Sequence, residues 1–348
     1  MKFLKLFLIF VPISLVCQFI GTSESLIFLF SALSILPLAG IMGEATEGIS
    51  GYSGPRVGGF LNATFGNATE LIICFFALKE GLFDVVKASI AGAVIGNILL
   101  VLGASMFLGG LKFKTQTFNK KAIEVSSSML LFSVIGLSVP AIFTHTIDSK
   151  MLNSSRYESL SIGVAIFMFA IYLLGLYFSF YTHKDIYGSE HTEATNENRS
   201  IRKYIIMLIM TTIVIAVESE LLVSSVEPMS ESIGLSKMFV GIILIPIIGN
   251  AAEHSTAVIM AMKNKMDVAI EIAIGSSLQI ILFVAPVLIF LSLFFTPMSI
   301  IFNEFELISL IVSVLIAIKV SSDGESNWLE GMQLISVYGI IAFCFFIL

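Results

Sequence analysis

The sequence is short of charge. Only 13% of its 348 residues are Asp, Glu, Lys or Arg, against about 25% in soluble domains. With 57% hydrophobic residues and a mean hydropathy of +0.98, a water-soluble globule would leave apolar surface facing water. Soluble folds, disordered chains and collagen-like repeats are excluded. There is no basic excess: 19 basic and 25 acidic residues give a net charge of −6, which argues against a nucleic-acid partner. Cysteine is scarce too. Cys17, Cys74 and Cys344 each sit in an apolar run without metal-type spacing, so they read as free thiols. The strand-length alternation of a transmembrane barrel is missing as well. No His-Glu-x-x-His and no nucleotide-binding Gly-Lys-Ser/Thr motif occurs, which excludes a zinc protease or an ATP-driven pump.

What the sequence has instead is long apolar runs of helix length, matched to a bilayer core of roughly 30 Å. Eleven are expected, at 3–20, 25–43, 61–79, 87–108, 125–145, 157–181, 203–222, 238–262, 267–294, 303–319 and 329–348. The first resembles a signal peptide, but Leu15 and Val16 precede Cys17 where a cleavage site wants small residues. It reads as a retained span. The longest polar stretch, His183 to Lys203, carries Asp185, Glu190, Glu193 and Glu197. It reads as a solvated linker or an ion-attracting segment. With the N-terminus in the cytoplasm, 14 of the 19 Lys and Arg fall on the inner side, as orientation by basic residues requires.

The chain also repeats itself. Gly66-Asn67-Ala68-Thr69-Glu70 recurs as Gly249-Asn250-Ala251-Ala252-Glu253, an offset of 183, and Asp84 and Gly92 match Asp267 and Gly275 at the same offset. The expected fold is an all-α integral membrane protein of eleven transmembrane helices. An N-terminal helix (1–24) precedes a first five-helix repeat (25–182), a cytoplasmic polar linker (183–202) and a second five-helix repeat (203–348). Five is odd, so the repeats are inverted, the pattern of secondary transporters with a midplane site.

Glu70 and Glu253 fall near the middle of spans three and eight, where a carboxylate costs about 2.5–3.5 kcal/mol on the insertion scale. No mid-span Lys or Arg is available to pair with them. Protons or one divalent cation must neutralise the two acids, and that competition is the core of an exchanger. Asn67 and Asn250 lie three residues before the acids, which on a helix is the same face. Gly66, Gly249 and Pro246 loosen the helices there. Amide and carboxylate oxygens suit a hard cation such as Ca²⁺. Asn97 on span four and Ser276, Ser277 and Gln279 on span nine are further supporting ligands, or partners in helix–helix hydrogen bonds. Span four also carries Ser89, Gly92 and Gly96. His254 follows Glu253 and either tunes the site from behind or simply packs. Glu47 and Glu220 end spans at opposite mouths, where they gather cations or serve as solvated helix ends. Glu271 reads as a mouth residue.

Gly-Gly-Phe-Leu-Asn-Ala-Thr-Phe-Gly-Asn-Ala-Thr-Glu-Leu-Ile (58–72) and Gly-Asn-Ala-Ala-Glu-His (249–254) resemble the two signature repeats of the Ca²⁺/H⁺ antiporter family, the CAX branch of the cation/Ca²⁺ exchanger superfamily. Asp323-Gly324 and Trp328-Leu329-Glu330-Gly331 are similar to the family as well. The resemblance implies Ca²⁺ exchanged for H⁺, with Glu70 and Glu253 as the alternating carriers, no cofactor, and commonly a homotrimer. The family often has a run of acids between spans six and seven; here they are scattered. The absence of a long N-terminal tail suits a prokaryotic plasma-membrane member. Rival readings are a superfamily exchanger for Mn²⁺, Na⁺ or K⁺, a passive channel, and an intramembrane serine protease. The last rests on Gly51-Tyr52-Ser53-Gly54, in an expected glycine-rich loop.

Overall fold

The computed structural model describes residues 4–146, 154–183, 186 and 201–348. A 3₁₀ turn (Leu4–Ile9) leads into α1 (Phe10–Ile20), followed by α2 (Glu24–Phe65), α3 (Ala68–Lys79), α4 (Phe83–Ile95) and α5 (Leu102–Phe113). Next come β1 (Thr115–Thr117), α6 (Lys120–Thr146) and α7 (Ser154–Tyr177). The second half holds α8 (Ile201–Ser224), α9 (Val226–Ile233), α10 (Lys237–Phe239), α11 (Ile245–Gly249), α12 (Ala251–Met262), α13 (Met266–Gln279) and α14 (Ala285–Ser292). It ends with α15 (Glu304–Val320), β2 (Glu325–Asn327) and α16 (Trp328–Ile347). Wider π turns join α4 to α5 (Gly96–Val101), α10 to α11 (Val240–Leu244) and α13 to α14 (Ile280–Val284).

The duplication carries into the backbone. α12 begins and ends 183 residues after α3, α13 begins 183 after α4, and the π turn ending at Val101 recurs as the one ending at Val284. The breaks before α3 and α12 share one conformation: Asn67 has φ −104° and ψ 25°, Asn250 φ −105° and ψ 14°.

Among the described residues, seven helices are long and apolar enough by themselves to cross a bilayer, or eight if the pair Val226–Ile233 and Lys237–Gly249, bent by 120°, counts as one span. The sequence reading expected eleven apolar spans, and several of those are short or interrupted. Asn67 and Asn250 break spans three and eight, leaving α3 and α12 with 12 residues each; α15 has 17 and α1 has 11.

The expected loop between spans two and three is instead helical, since α2 keeps helical hydrogen bonding to Phe65. It is not straight. Ser50 Oγ donates to Gly58 O at 3.0 Å, and a Cβ on Gly58 would lie 2.7 Å from Ser50 O. Eight residues of straight helix rise about 12 Å, so the chain bends sharply between these two positions. The bend sits 183 residues before the 120° bend of the second half. Ser53 Oγ donates to Ile49 O within the helix at 3.0 Å. Its expected loop is therefore absent, and no histidine among the described residues is placed to activate it.

α4–α5 and α13–α14 form the centre, with 89% and 67% of their apolar windows buried, against 22% for α7 and α16. Outer helices turn large apolar groups such as Phe167, Ile340 and Phe343 outward, as a lipid-facing surface requires. Inside, helices meet at small residues. A Cβ on Gly92 would lie 2.0 Å from Ile242 O, and one on Gly331 would lie 2.2 Å from Phe107 N. Backbone-to-backbone approach of this kind is how helices associate where lipid competes equally for apolar side chains.

At one end of the bundle the halves are bolted together. β1 and β2 pair antiparallel, with Gln116 opposite Ser326. Gln116 Nε2 donates to Ala261 O (2.9 Å) and Asn264 Oδ1 (3.0 Å), and the Asn119 N–H donates to Asp267 Oδ1 at 2.5 Å. Several inner-set cations of the sequence reading lie here, among them Lys112, whose Nζ donates to Met262 O at 2.8 Å. α1 is tied to α2 by the Lys5–Glu44 ion pair (3.2 Å) and a Phe10–Phe30 stack (5.5 Å). The polar linker, apart from His183, Ile186, Ile201 and Arg202, lies outside the described residues.

Gly92→Ala should push α4 off the π turn at Val240–Leu244 and destabilise the protein by about 1–3 kcal/mol, the range for overpacking. Gly96→Ala, where a Cβ meets nothing within 4 Å, should be close to neutral apart from its effect on the π turn. Thermal unfolding in detergent of the two variants, side by side, checks this.

Candidate cation site

The two breaks at Asn67 and Asn250 start α3 and α12 in the interior of the bundle, with the glutamates in their first turns. The helix N-terminus presents unpaired backbone N–H groups and a positive dipole end, which favours a carboxylate there. Placing both acids by helix breaks rather than within continuous helix is the structural purpose of the Gly-Asn pairs.

Glu70 is 1% exposed and both its oxygens accept hydrogen bonds. Ser89 Oγ on α4 donates to Oε1 at 2.8 Å, and Asn250 Nδ2, from the opposite half, donates to Oε2 at 2.5 Å. Asn250 uses its second N–H on Pro246 O at 3.1 Å. Gly249 makes room, since a Cβ there would stand 2.8 Å from Glu70 Oε2. Glu253 is different. It is partly exposed, and its Oε2 is buried with no hydrogen-bond partner. No cationic side chain among the described residues forms an ion pair with either carboxyl.

Beside the acids runs a chain of neutral groups in which every donor points the same way. His254 Nε2 lies 3.0 Å from Asn97 Oδ1. Asn97 Nδ2 donates to Ser276 Oγ (3.0 Å), Ser276 Oγ to Asn67 Oδ1 (2.7 Å), and Asn67 Nδ2 to Gln279 Oε1 (2.6 Å). An amide oxygen only accepts, so His254 presents Nε2–H. The chain crosses between the halves at every one of its four steps, and Asn97 stands on the π turn that opens the α4–α5 backbone.

Most of the residues picked from the sequence fall into two hydrogen-bonded groups, Glu70 with Asn250, and His254, Asn97, Ser276, Asn67 and Gln279, with Glu253 beside His254 in the chain. The manner differs from the expectation in one respect. Asn67 and Asn250 do not share a helix face with the glutamate three residues on, because each sits at the break and reaches into the other half. The amide oxygens of Asn67, Asn97 and Gln279 each accept one hydrogen bond, which leaves a second lone pair on each. Ser277 is not part of the site: its hydroxyl donates to Ala273 O at 2.8 Å on its own helix. Glu220 pairs with Lys79 at 3.3 Å, and Glu47 is exposed along α2 rather than at its end. Glu271 is exposed on α13. Ser89 was not singled out as a ligand from the sequence, since its position in the second half is Ile272 and the repeat gives no signal there.

Residues 24–181 and 203–347 match the sodium/calcium exchanger protein family. The chain belongs to that family. It is 47% identical to a Ca²⁺/H⁺ antiporter of Aphanothece halophytica, covering 97% of this chain and 95% of that protein. It is 45% identical to the Ca²⁺/H⁺ antiporter ChaA of Bacillus subtilis, covering 97% of each. Its fold is that of the crystal structure of the Ca²⁺/H⁺ antiporter protein YfkE, with a TM-score of 0.86, 41% identity and full coverage of both chains. The protein is thus a multi-pass membrane member of an ion-exchanger family, and the all-helical reading of the sequence holds.

Gly249→Ala should force the Glu70 carboxyl away from Asn250 and weaken the protein by about 1–3 kcal/mol, the cost of leaving buried polar groups unpaired. Gly40→Ala, where a Cβ meets nothing within 4 Å, is the control. Thermal unfolding midpoints of both, compared with the parent, give the answer.

Proposed function

We propose that this protein is a secondary antiporter that exchanges cytoplasmic Ca²⁺ for external H⁺ by alternating access at Glu70 and Glu253. The observation that carries the reading is the contrast between the acids: Glu70 has neutral donors on both oxygens, while Glu253 keeps a buried oxygen with no partner. An unpartnered carboxylate oxygen in a membrane interior is a place for a proton or a metal ion. Two carboxyls without a cationic side chain hold either protons or one divalent cation, not both. The names of the relatives support Ca²⁺ and H⁺ as that pair. Neutral amides and a hydroxyl around the acids, rather than further carboxylates, favour proton coupling over a sodium-coupled cycle.

In this reading the two halves are inverted repeats, and residues 25–182 and 203–348 rock about the shared site. The N-terminus lies in the cytoplasm of a prokaryotic cell, in the plasma membrane, with the basic end of the bundle inward. Ser89 and Asn250 hold the Glu70 carboxyl in place through the cycle. The chain from His254 to Gln279 keeps α12 and α13 in register with α3 and α4.

Glu70→Gln and Glu253→Gln should each abolish Ca²⁺ uptake driven by a pH gradient in proteoliposomes, while both proteins still insert and purify. Gln keeps the volume and some of the hydrogen bonding, but it cannot carry a proton or neutralise Ca²⁺. Uptake retained by either variant would sink the two-carboxylate site. Competing Mn²⁺ in the same assay tests ion choice.

A second measurement addresses proton coupling. Binding one Ca²⁺ requires both carboxyls ionised, so it releases protons and apparent affinity must fall as pH falls. On the acid side, the slope should approach about two units of log affinity per pH unit if both acids titrate together. A slope near one means one acid exchanges its proton, and a flat profile places the proton site elsewhere. Ca²⁺ binding to purified protein, with the double Gln variant as blank, reads it.

A further inference from the structure

Three glutamates are fully buried among the described residues. Glu70 belongs to the cation site. Glu306 closes the capping box of α15, accepting from Asn303 N at 3.0 Å. Glu218, on α8, has neither explanation. It has no exposed surface, and the first half offers no counterpart, since the position 183 residues earlier is Ile35.

Hydroxyls from two other helices surround it. Ser14 on α1 and Ser31 and Ser34 on α2 are all 0% exposed. Ser14 Oγ donates to Glu218 Oε1 at 2.7 Å and also approaches Val11 O at 2.8 Å. Ser34 Oγ donates to Ser31 O at 2.8 Å, so its proton is committed. Ser31 and Ser34 stand three residues apart on α2, which packs along α8. Yet Glu218 Oε2 and Ser31 Oγ are both buried without a hydrogen-bond partner.

Among the described residues no ion pair involves Glu218. Glu220 on the same helix turns to Lys79 of α3, and Glu44 of α2 turns to Lys5. Glu24 stands about two turns of α2 from Ser31, and Glu47 is exposed. Glu227 of α9 is paired with Lys237, and Glu231 is exposed. Glu70 of α3 is occupied by Ser89 and Asn250. Cys17 is the remaining titratable side chain of α1. An ionised Glu218 would be an unpaired charge sealed inside the protein, which is costly. A neutral acid has one O–H donor and keeps acceptor capacity. One proton on Oε2, donated to Ser31 Oγ, satisfies both orphaned atoms at once.

We propose that Glu218 is a resident proton site, separate from the exchanging pair, whose neutral acid accepts from Ser14 and donates to Ser31 and thereby pins α1 to the paired first helices of the two halves, α2 and α8. Outside the repeat, α1 has no duplicated partner, so it needs a fastening of its own, and this one is polar, sealed and uncharged.

The test is an infrared difference spectrum of the purified full-length protein, wild type minus Glu218→Gln, at pH 8 in saturating Ca²⁺. The expected result is a neutral-acid carbonyl band present in wild type and missing from the variant. Ser14→Ala should move that band to higher frequency, because its carbonyl loses a donor. Gln offers an oxygen to Ser14 and an N–H to Ser31, so Glu218→Gln should keep the wild-type unfolding midpoint and proton-driven exchange. Glu218→Ala should lower the midpoint. Loss of ionised-carboxylate bands instead of the neutral-acid band overturns the proposal. So does a folded Glu218→Gln protein that no longer exchanges, which would put this proton inside the transport cycle. If Glu218→Gln does not fold, the Ser14→Ala shift decides alone, and an unmoved band overturns the proposal.

Discussion

A carboxyl group in the interior of a lipid-embedded bundle needs neutral partners, and here the decisive one comes from the other half of the chain. Asn250 reaches across to Glu70, and Gly249 leaves the space for it. That single crossing fixes much else. It requires α12 to start where it does, it requires Asn250 to stand at a break rather than on a helix face, and it requires the two halves to meet at backbone distance. The chain from His254 through Asn97, Ser276 and Asn67 to Gln279 repeats the principle with uncharged groups. The hydrogen bonds that arrange the candidate site thus also join the halves, in addition to the β1–β2 bolt at one end of the bundle.

Close helix approach makes those bonds reachable. A methyl group at Gly92 or Gly331 would overlap a neighbouring backbone, and amide side chains as short as Asn span the gap only because the helices are this near. The π turns after α4 and α13 add a second freedom. Each opens the regular i to i−4 hydrogen bonding beside the site and carries Asn97 in one half, while in the other it begins just beyond Gln279. A further π turn, Phe178–Thr182, ends the outer helix α7, so such turns are not confined to the polar centre.

Much of this was legible in the sequence. The 183-residue offset located both glutamates and both asparagines, and the backbone repeats with them, α3 and α12 having 12 residues each. Reasoning by helix face failed at Asn67 and Asn250, since it presumes an unbroken helix through the very residues that break it. Ser277 was drawn in by adjacency to Ser276, but neighbours on a helix point about 100° apart, and its hydroxyl returns to its own backbone. Ser89 and Glu218 gave no repeat signal, their counterparts being Ile272 and Ile35. The segment around Gly51, Gly54, Pro55 and Gly58 reads as a loop by composition. Its hydrogen bonding stays helical while the axis turns, and composition does not separate a loop from a sharply bent helix.

Although the chain is duplicated, its two carboxyls do not see the same surroundings: Glu70 is sealed, while Glu253 is partly open. The flanking glycines differ in the same sense, since Gly92 is pressed against Ile242 and a Cβ on Gly275 would meet nothing within 4 Å. A continuous water-filled conduit past both acids would wet both of them. Glu70 has almost no accessible surface, and a layer packed that tightly insulates, so a transmembrane voltage would fall across it. A unit charge carried through it exchanges about 2.3 kcal/mol with the field for every 100 mV, which makes the thickness of a few packed side chains the electrical barrier of the molecule.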